Sequence, residues 1–314
     1  MTDTAQPHCV VLDWGTTNFR AVLVDAKGAI LDRVETPDGI QSVPASGFEA
    51  SLAERIAPWR KTHGPLPVYA SGMIGSRNSW IEVPYVHAPA GIEDFAKAVR
   101  RAALRDASSI LFIPGLTDMS VKPFPDVMRG EETQLVGYGL AQDATVVLPG
   151  THSKWARIAQ GRITSFRTFV TGELFGTVSR HSFLAQVAKP RGAPDWAAFA
   201  RGLDVARGVG ASAGLLSCLF SVRTGWLAGE LDAAQMTDYL SGLMIGAEFR
   251  EAGDLGWFEP GQEIGIIGTE AMAELYRRAA TAFGLTPRPG PADAAMRGCL
   301  AIAAMAERLE GSGS

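Results

Sequence analysis

The chain has 314 residues, 46% hydrophobic and 20% charged, with 29 Lys and Arg against 33 Asp and Glu for a net charge of −4. That length predicts about two domains of ordinary globular composition, and the acidic balance offers no basic footprint to nucleic acid. No apolar run approaches the roughly 18–20 residues of a membrane span, and Cys9, Cys218 and Cys299 form neither a disulfide framework nor a metal-binding pattern, which fits a reducing cytoplasm.

Val10 to Asp25, VVLDWGTTNFRAVLVD, reads as strand, tight turn, strand. Gly15 lets backbone approach a ligand closely. The hydroxyls of Thr16 and Thr17, with the turn amides as far as Asn18, can cradle phosphate oxygens. Asp13 sits where a carboxylate can hold a hydrated Mg2+. Taken alone, the stretch is equally an ordinary hairpin with a polar turn. A third antiparallel strand is predicted over 29–37, and a helix over 47–61 from the spacing of Phe48, Leu52, Ile56 and Trp59. Residues 65–75 read as a buried strand entering a glycine turn, 92–104 as an amphipathic helix, 108–116 as a further buried strand, and 129–141 as a helix crossing between domains.

The second half restarts this plan. Residues 145–150, 154–160 and 162–170 predict three strands, the first two joined by the turn Gly150-Thr151-His152-Ser153-Lys154. Residues from about 173 to 252 have helical spacing and no readable motif. Residues 263–280 predict a buried strand that meets a helix at Gly268-Thr269-Glu270, and 291–310 an Ala-rich helix opened by Pro291. The expected domains are 1–141 with 292–314, and 142–291 carrying the helical insertion.

Two hairpins and a Gly-rich strand–helix turn in this order resemble the actin/hexokinase/sugar-kinase superfamily. The resemblance implies an α/β, two-domain actin-like (ribonuclease H-like) fold with an interdomain cleft, and ATP held by both hairpins. On it, the nucleotide set is Gly15, Thr16, Thr17, Asn18, Gly150, Thr151, His152, Ser153, Lys154 and Gly268, with Asp13 as the metal and phosphate-orienting carboxylate. Lys154 also reads as a surface lysine on a strand edge, and His152 as a residue bonded within its own turn.

Phosphoryl transfer needs positioning and charge stabilisation above all, helped by a base at the attacking hydroxyl. A carboxylate opening the crossing helix would face the cleft. Glu131 ranks first, Asp118, which follows a buried strand, second, and Glu132 third; the helix dipole alone also favours acids in a first turn. Loops after strands are where open α/β sheets place ligands, which selects Gly72, Met73, Ser76 and Arg77. Arg77 offers a fork for a carboxylate, with Arg20 and Arg129 as alternatives.

DWGTTNFR, ASGMIGSRNSW, PGLTDMS, MRGEETQLVG, LPGTHSKW and FVTGELF together resemble the 2-dehydro-3-deoxygalactonokinases, a resemblance that covers nearly the whole chain, from about Val10 to Met305. That implies phosphorylation of the 6-hydroxyl of 2-dehydro-3-deoxy-D-galactonate by ATP and Mg2+ in galactonate or galactose catabolism. The implied partners are ATP and a small sugar acid, with no nucleic acid or membrane, in a monomer or homodimer. A kinase of another sugar acid or a hexosamine, and a non-catalytic actin-like ATP-binding protein, are the alternatives.

Overall fold

The computed structural model describes residues 6–189, 192–208 and 213–312. It divides into two compact units: Met1–Asp143 with Arg157–Phe166 and Asp293–Ser314, and Ala144–Ala156 with Arg167–Ala292.

In unit 1, β1 (Pro7–Trp14), β2 (Phe19–Asp25) and β3 (Ile30–Thr36) form an antiparallel meander. Strands β4 (Val68–Ser71) and β7 (Ser109–Phe112) extend it in parallel on the other side of β1. With β6 (Arg100–Ala103) at the edge, the sheet order is β3-β2-β1-β4-β7-β6. Alternating apolar residues of β1 and β2 pack on α1 (Phe48–Arg55) and α2 (Ala57–His63) through Trp14, Phe19, Phe48, Leu52 and Trp59. Trp14 meets Phe19 and Phe48 edge-on, with ring centroids 4.9 and 5.7 Å away.

Two helices expected from the sequence are shorter than predicted. The 47–61 segment breaks at Ile56, because Pro58 in the first turn of α2 has no N–H to continue the α1 ladder. The 92–104 segment is a helix only as α3 (Ile92–Lys97); Arg100–Ala103 is instead β6, antiparallel to β7. An Asp106 turn reverses the chain there: Asp106 Oδ1 accepts from Ser108 N and Oγ at 3.1 and 2.6 Å, and Ala107 sits at φ +65°. A small sheet, β5 (Val86–His87), β8 (Leu116–Asp118) and β9 (Asp126–Met128), completes the strands of this unit.

Helix α4 (Glu131–Tyr138) lies between two glycines of positive φ, Gly130 and Gly139. It packs on the long helix 294–312 through glycines on both sides. A Cβ on Gly137 would lie 1.9 Å from Ala294 O, and one on Gly298 1.8 Å from Thr133 O.

The second five-stranded sheet repeats the topology. Strands β10 (Ala144–Leu148), β11 (Ser153–Ala159), β12 (Arg162–Phe169), β13 (Glu263–Ile266) and β14 (Thr286–Pro289) stand in the order β12-β11-β10-β13-β14. Discounting edge strand β6, both sheets read third, second, first, fourth, fifth, the duplicated plan of an actin-like fold. Between β12 and β13 lie α5 (Thr171–His181), α6 (Leu184–Val187), α7 (Trp196–Arg207), α8 (Leu215–Leu219), α9 (Ser221–Leu227) and α10 (Met236–Asp254). Helix α11 (Glu270–Ala282) links β13 to β14, and α12 is Ala294–Ser312. The core gathers Trp155, Phe199, Phe249, Ile264, Ile266 and Tyr276. No helix among the described residues is long and apolar enough to cross a membrane.

Candidate active site

In unit 1, three chain segments converge on Asp13. It stands next to last in β1, in register with Ser71 of β4 and Arg20 of β2. Gly72 turns away at φ +87°, and a Cβ there would lie 2.9 Å from both Asp13 Oδ1 and Trp14 O. Gly130 abuts Gly72 from the other side, where its own Cβ would lie 3.3 Å from Gly72 Cα. Only residues without side chains allow the end of β4 and the start of α4 to close on this carboxylate.

The packed surroundings push Asp13 up to about 6; Arg20 opposes that shift, and Glu131 and Glu35 add to it. Arg20 Nη1 stands 3.9 Å from Asp13 Oδ2, while its Nε bonds Glu35 Oε1 at 2.7 Å. Arg20 is therefore chiefly a brace between β2 and β3.

Next to Asp13, the first turn (Gly15, Thr16, Thr17, Asn18) closes with Gly15 N donating to Asn18 O at 2.9 Å, and Thr16, Thr17 and Asn18 are exposed. The 38–42 segment presses against its back: Ile40 N donates to Gly15 O at 3.0 Å, and a Cβ on Gly39 would lie 2.2 Å from Thr16 O and Thr17 N.

The three candidate bases differ in what surrounds them. Glu131 is partly exposed, accepts a bond from Arg129 N at 3.1 Å and acts electrostatically on Asp13. Glu132 is fully buried and accepts from Gly130 N at 2.9 and 2.7 Å. Burial, then Glu131, push its carboxyl up to about 8 against those backbone bonds and Arg129. Asp118 is also buried, but its oxygens are engaged by Ser120 N (2.9 Å), Ser120 Oγ (2.6 Å) and Phe166 N (3.3 Å). Of the three, Glu131 is the one that combines solvent access with an influence on Asp13.

Arg77 points to solvent, its side chain 83% exposed, and pairs with Glu82 at 3.3 Å. Arg129 is the opposite case, only 8% exposed, with its guanidinium 4.3 Å from the Tyr85 ring centroid and Nη2 donating to Val83 O at 2.7 Å. Its Nε and Nη1 are buried without hydrogen-bond partners. A Cβ on Gly75 would stand 3.0 Å from Nη1, which places the guanidinium under the short 3-10 turn Met73–Gly75 that Ser76 follows. A buried cation with unmet donors is costly unless an anion completes it.

In unit 2, the second turn spans Gly150, Thr151, His152 and Ser153. The start of α5 seats on it: Glu173 N donates to Thr151 O at 2.9 Å, and a Cβ on Gly172 would lie 2.3 Å from Gly150 O. His152 Nε2 lies 2.7 Å from Glu173 Oε2, tying the imidazole to that helix. The structure corrects two expectations here. Ser153 is buried and its hydroxyl donates to Glu248 Oε1 at 2.7 Å, so only its backbone is left for a ligand. Lys154 is 4% exposed, not a surface lysine, because β11 runs with both faces covered. Gly268 adjoins this turn, with Pro149 Cδ 3.6 Å from the position of its Cβ, and Thr269 caps α11 by accepting from Met272 N at 3.5 Å.

Glu248 escaped the sequence reading. Its signal was there: a lone carboxylate in the apolar stretch GLMIGAEF, where burial demands several partners.

The sequence profile described as 2-keto-3-deoxy-galactonokinase matches residues 13–302. The DgoK1 protein of Rhizobium meliloti (strain 1021), a candidate 2-dehydro-3-deoxygalactonokinase, is 36% identical over 309 residues, covering 96% of this chain and 98% of the relative. The 2-dehydro-3-deoxygalactonokinase of Escherichia coli (strain K12) is 34% identical over 277 residues, 88% of this chain and 90% of the relative. A crystal structure of a candidate 2-dehydro-3-deoxygalactonokinase from Sinorhizobium meliloti superposes with a TM-score of 0.83 at 34% identity, covering 96% of this chain and 99% of that one. With its duplicated sheet, its two polar turns and these matches along nearly its whole length, the chain belongs to the 2-keto-3-deoxy-galactonokinase family.

Proposed function

We propose that this carbohydrate kinase transfers the γ-phosphoryl group of ATP to the 6-hydroxyl of 2-dehydro-3-deoxy-D-galactonate, in the cytoplasm, as a step of galactonate catabolism. The observation that carries the substrate class is the buried Arg129 with two unmet donors. A small carboxylate is the ligand such a guanidinium lacks. On this reading Arg129 takes the anchoring role first expected of Arg77, and Gly72, Met73 and Ser76 shape the loop above it.

The exposed amides and hydroxyls of Thr16 and Thr17, and the turn at Gly150–His152, hold phosphate oxygens. Glu131 accepts the proton of the attacking hydroxyl. The residues present suit Mg2+: Asp13 offers a hard carboxylate oxygen at the end of β1, beside the first turn. That donor set matches an ion held by one or two carboxylates together with phosphates and water. When bound, the ion neutralises phosphate charge.

A coupled assay of ADP release settles the reading. 2-Dehydro-3-deoxy-D-galactonate should give the highest kcat/KM in a panel that includes its 4-epimer, other sugar acids and hexosamines. Faster turnover of a hexosamine would reject the sugar-acid assignment, and no acceptor-dependent ADP release would reject a kinase.

A further inference from the structure

Helix α10 carries the Glu248 carboxylate into the centre of unit 2, where it is 3% exposed. Four side chains donate to it. Ser153 Oγ and Trp155 Nε1 reach Oε1 at 2.7 and 2.8 Å, Tyr276 OH reaches Oε2 at 2.7 Å, and the Thr171 hydroxyl is a further donor. Burial pushes the Glu248 carboxyl up, and these donors pull against that shift.

The identity of the donors is the informative part. Ser153 and Trp155 belong to β11, immediately after the second turn. Thr171 opens α5, the helix seated on that turn through Gly172 and Glu173. Tyr276 belongs to α11, which begins beside Gly268. One carboxylate thus gathers the strand leaving the turn, the helix resting on it and the helix next to it. A fully satisfied buried polar hub fixes its members in one arrangement. A core built only for stability would be served as well by an apolar residue at this position.

We propose that Glu248 is the positioning residue of the second phosphate turn, holding Gly150–Ser153 in the shape that receives the phosphates of ATP. The proposal rests on the reading that this turn binds phosphate. Glu248 touches no substrate; it acts through Ser153, Thr171 and the α5 start. A backbone cradle binds an anion well only if its amides are already aimed, so loosening the hub should weaken ATP and leave the sugar acid alone.

The test is steady-state kinetics in both substrates, well below the melting temperature of each variant. Glu248→Gln keeps the shape but removes the charge and half of the acceptor capacity. It should raise KM for ATP about tenfold and lower kcat, with KM for the sugar acid within about twofold of wild type. Tyr276→Phe removes one donor from the rim of the hub and should shift KM for ATP in the same direction, by about threefold. It serves if Glu248→Gln does not fold. Thr151→Asp places a negative charge on the exposed turn and checks the premise; KM for ATP should rise at least tenfold. If Thr151→Asp raises it while Glu248→Gln and Tyr276→Phe only lower the melting temperature, the premise stands and Glu248 is merely structural. If Thr151→Asp also leaves KM for ATP unchanged, the turn does not bind phosphate and the proposal falls with it. Equal changes in KM for both substrates overturn it too.

Discussion

The two polar turns are built alike from backbone and unlike from carboxylates. Each is backed by a glycine pressed against its main chain, Gly39 on the first and Gly172 on the second. Each adjoins a buried tryptophan: Trp14, whose Nε1 donates to Asp38 O at 3.3 Å, and Trp155, whose Nε1 donates to Glu248. The first turn keeps its acid, Asp13, at the strand end with 30% of the side chain exposed, beside a single arginine 3.9 Å away. The second has its acid behind it, enclosed and saturated with donors. A carboxylate with spare lone pairs at a surface is equipped to meet a ligand, and one with every lone pair engaged is equipped to hold a shape. On the proposed reading, the same topology serves chemistry on one side and scaffolding on the other.

The contrast breaks most visibly at the reacting groups. Glu131→Gln should lower kcat by about 10²–10⁴-fold, the usual loss for a general base, with both KM values little changed. Full activity in that variant together with a dead Asp118→Asn would return the base to Asp118. Asp13→Asn should cost roughly a hundredfold or more in kcat, about 2.7 kcal/mol for one oriented electrostatic contact. Its melting temperature should hold, since a charge disfavoured by its surroundings is removed. A variant inactive only because it is unfolded would erase the distinction between the two acids.

Smaller effects sharpen the picture. Arg129→Ala should raise KM for the sugar acid about ten- to hundredfold, the worth of a charge-assisted pair of roughly 1.5–3 kcal/mol, whereas Arg77→Ala should stay near wild type. The reverse ranking would return the carboxylate to the exposed loop.

Glu132 supplies a pH test. Its carboxyl is raised from an ordinary 4.5 to about 8 in the folded protein. The native state therefore holds that proton more tightly than the unfolded chain. The resulting stability is fully present below about pH 4.5 and is lost as pH rises through 8. Thermal melts should show Glu132→Gln flattening the decline in Tm between pH 5 and pH 9, with the variant more stable than wild type at the alkaline end. An unchanged slope would mean that Glu132 is ionised in the native state at neutral pH.

Much of this was legible in the sequence. Both hairpins, the Gly268 turn and α12 announce themselves because local rules govern them: apolar alternation, turn residues and helical spacing, although α12 starts at Ala294, past the Pro291 expected to open it. The Asp106 turn was equally local but followed directly on a run with helical spacing, and there turn chemistry overrode periodicity. The site was legible only where its residues sit on turns. Arg129 and Arg77 look equivalent as letters; burial separates them, and burial depends on Val83, Tyr85 and Gly75 arriving from elsewhere in the chain. Glu248 stands out in the sequence as a lone carboxylate among apolar residues, but its role was hidden for the same reason. Its four partners come from β11, α5 and α11, and no spacing rule links them.

The glycine-to-glycine seam between α4 and α12 has a consequence for how the protein is made. Helix α12 belongs to unit 1, yet it follows the whole of unit 2 in the sequence. The helix that presents Glu131 therefore lacks its closest neighbour until residues 294–312 have left the ribosome, while unit 2 has its strands and core helices already in hand. Synthesis from the N-terminus should complete unit 2 first and leave unit 1 open until the end, with its apolar α4 face exposed to chaperones in the interval.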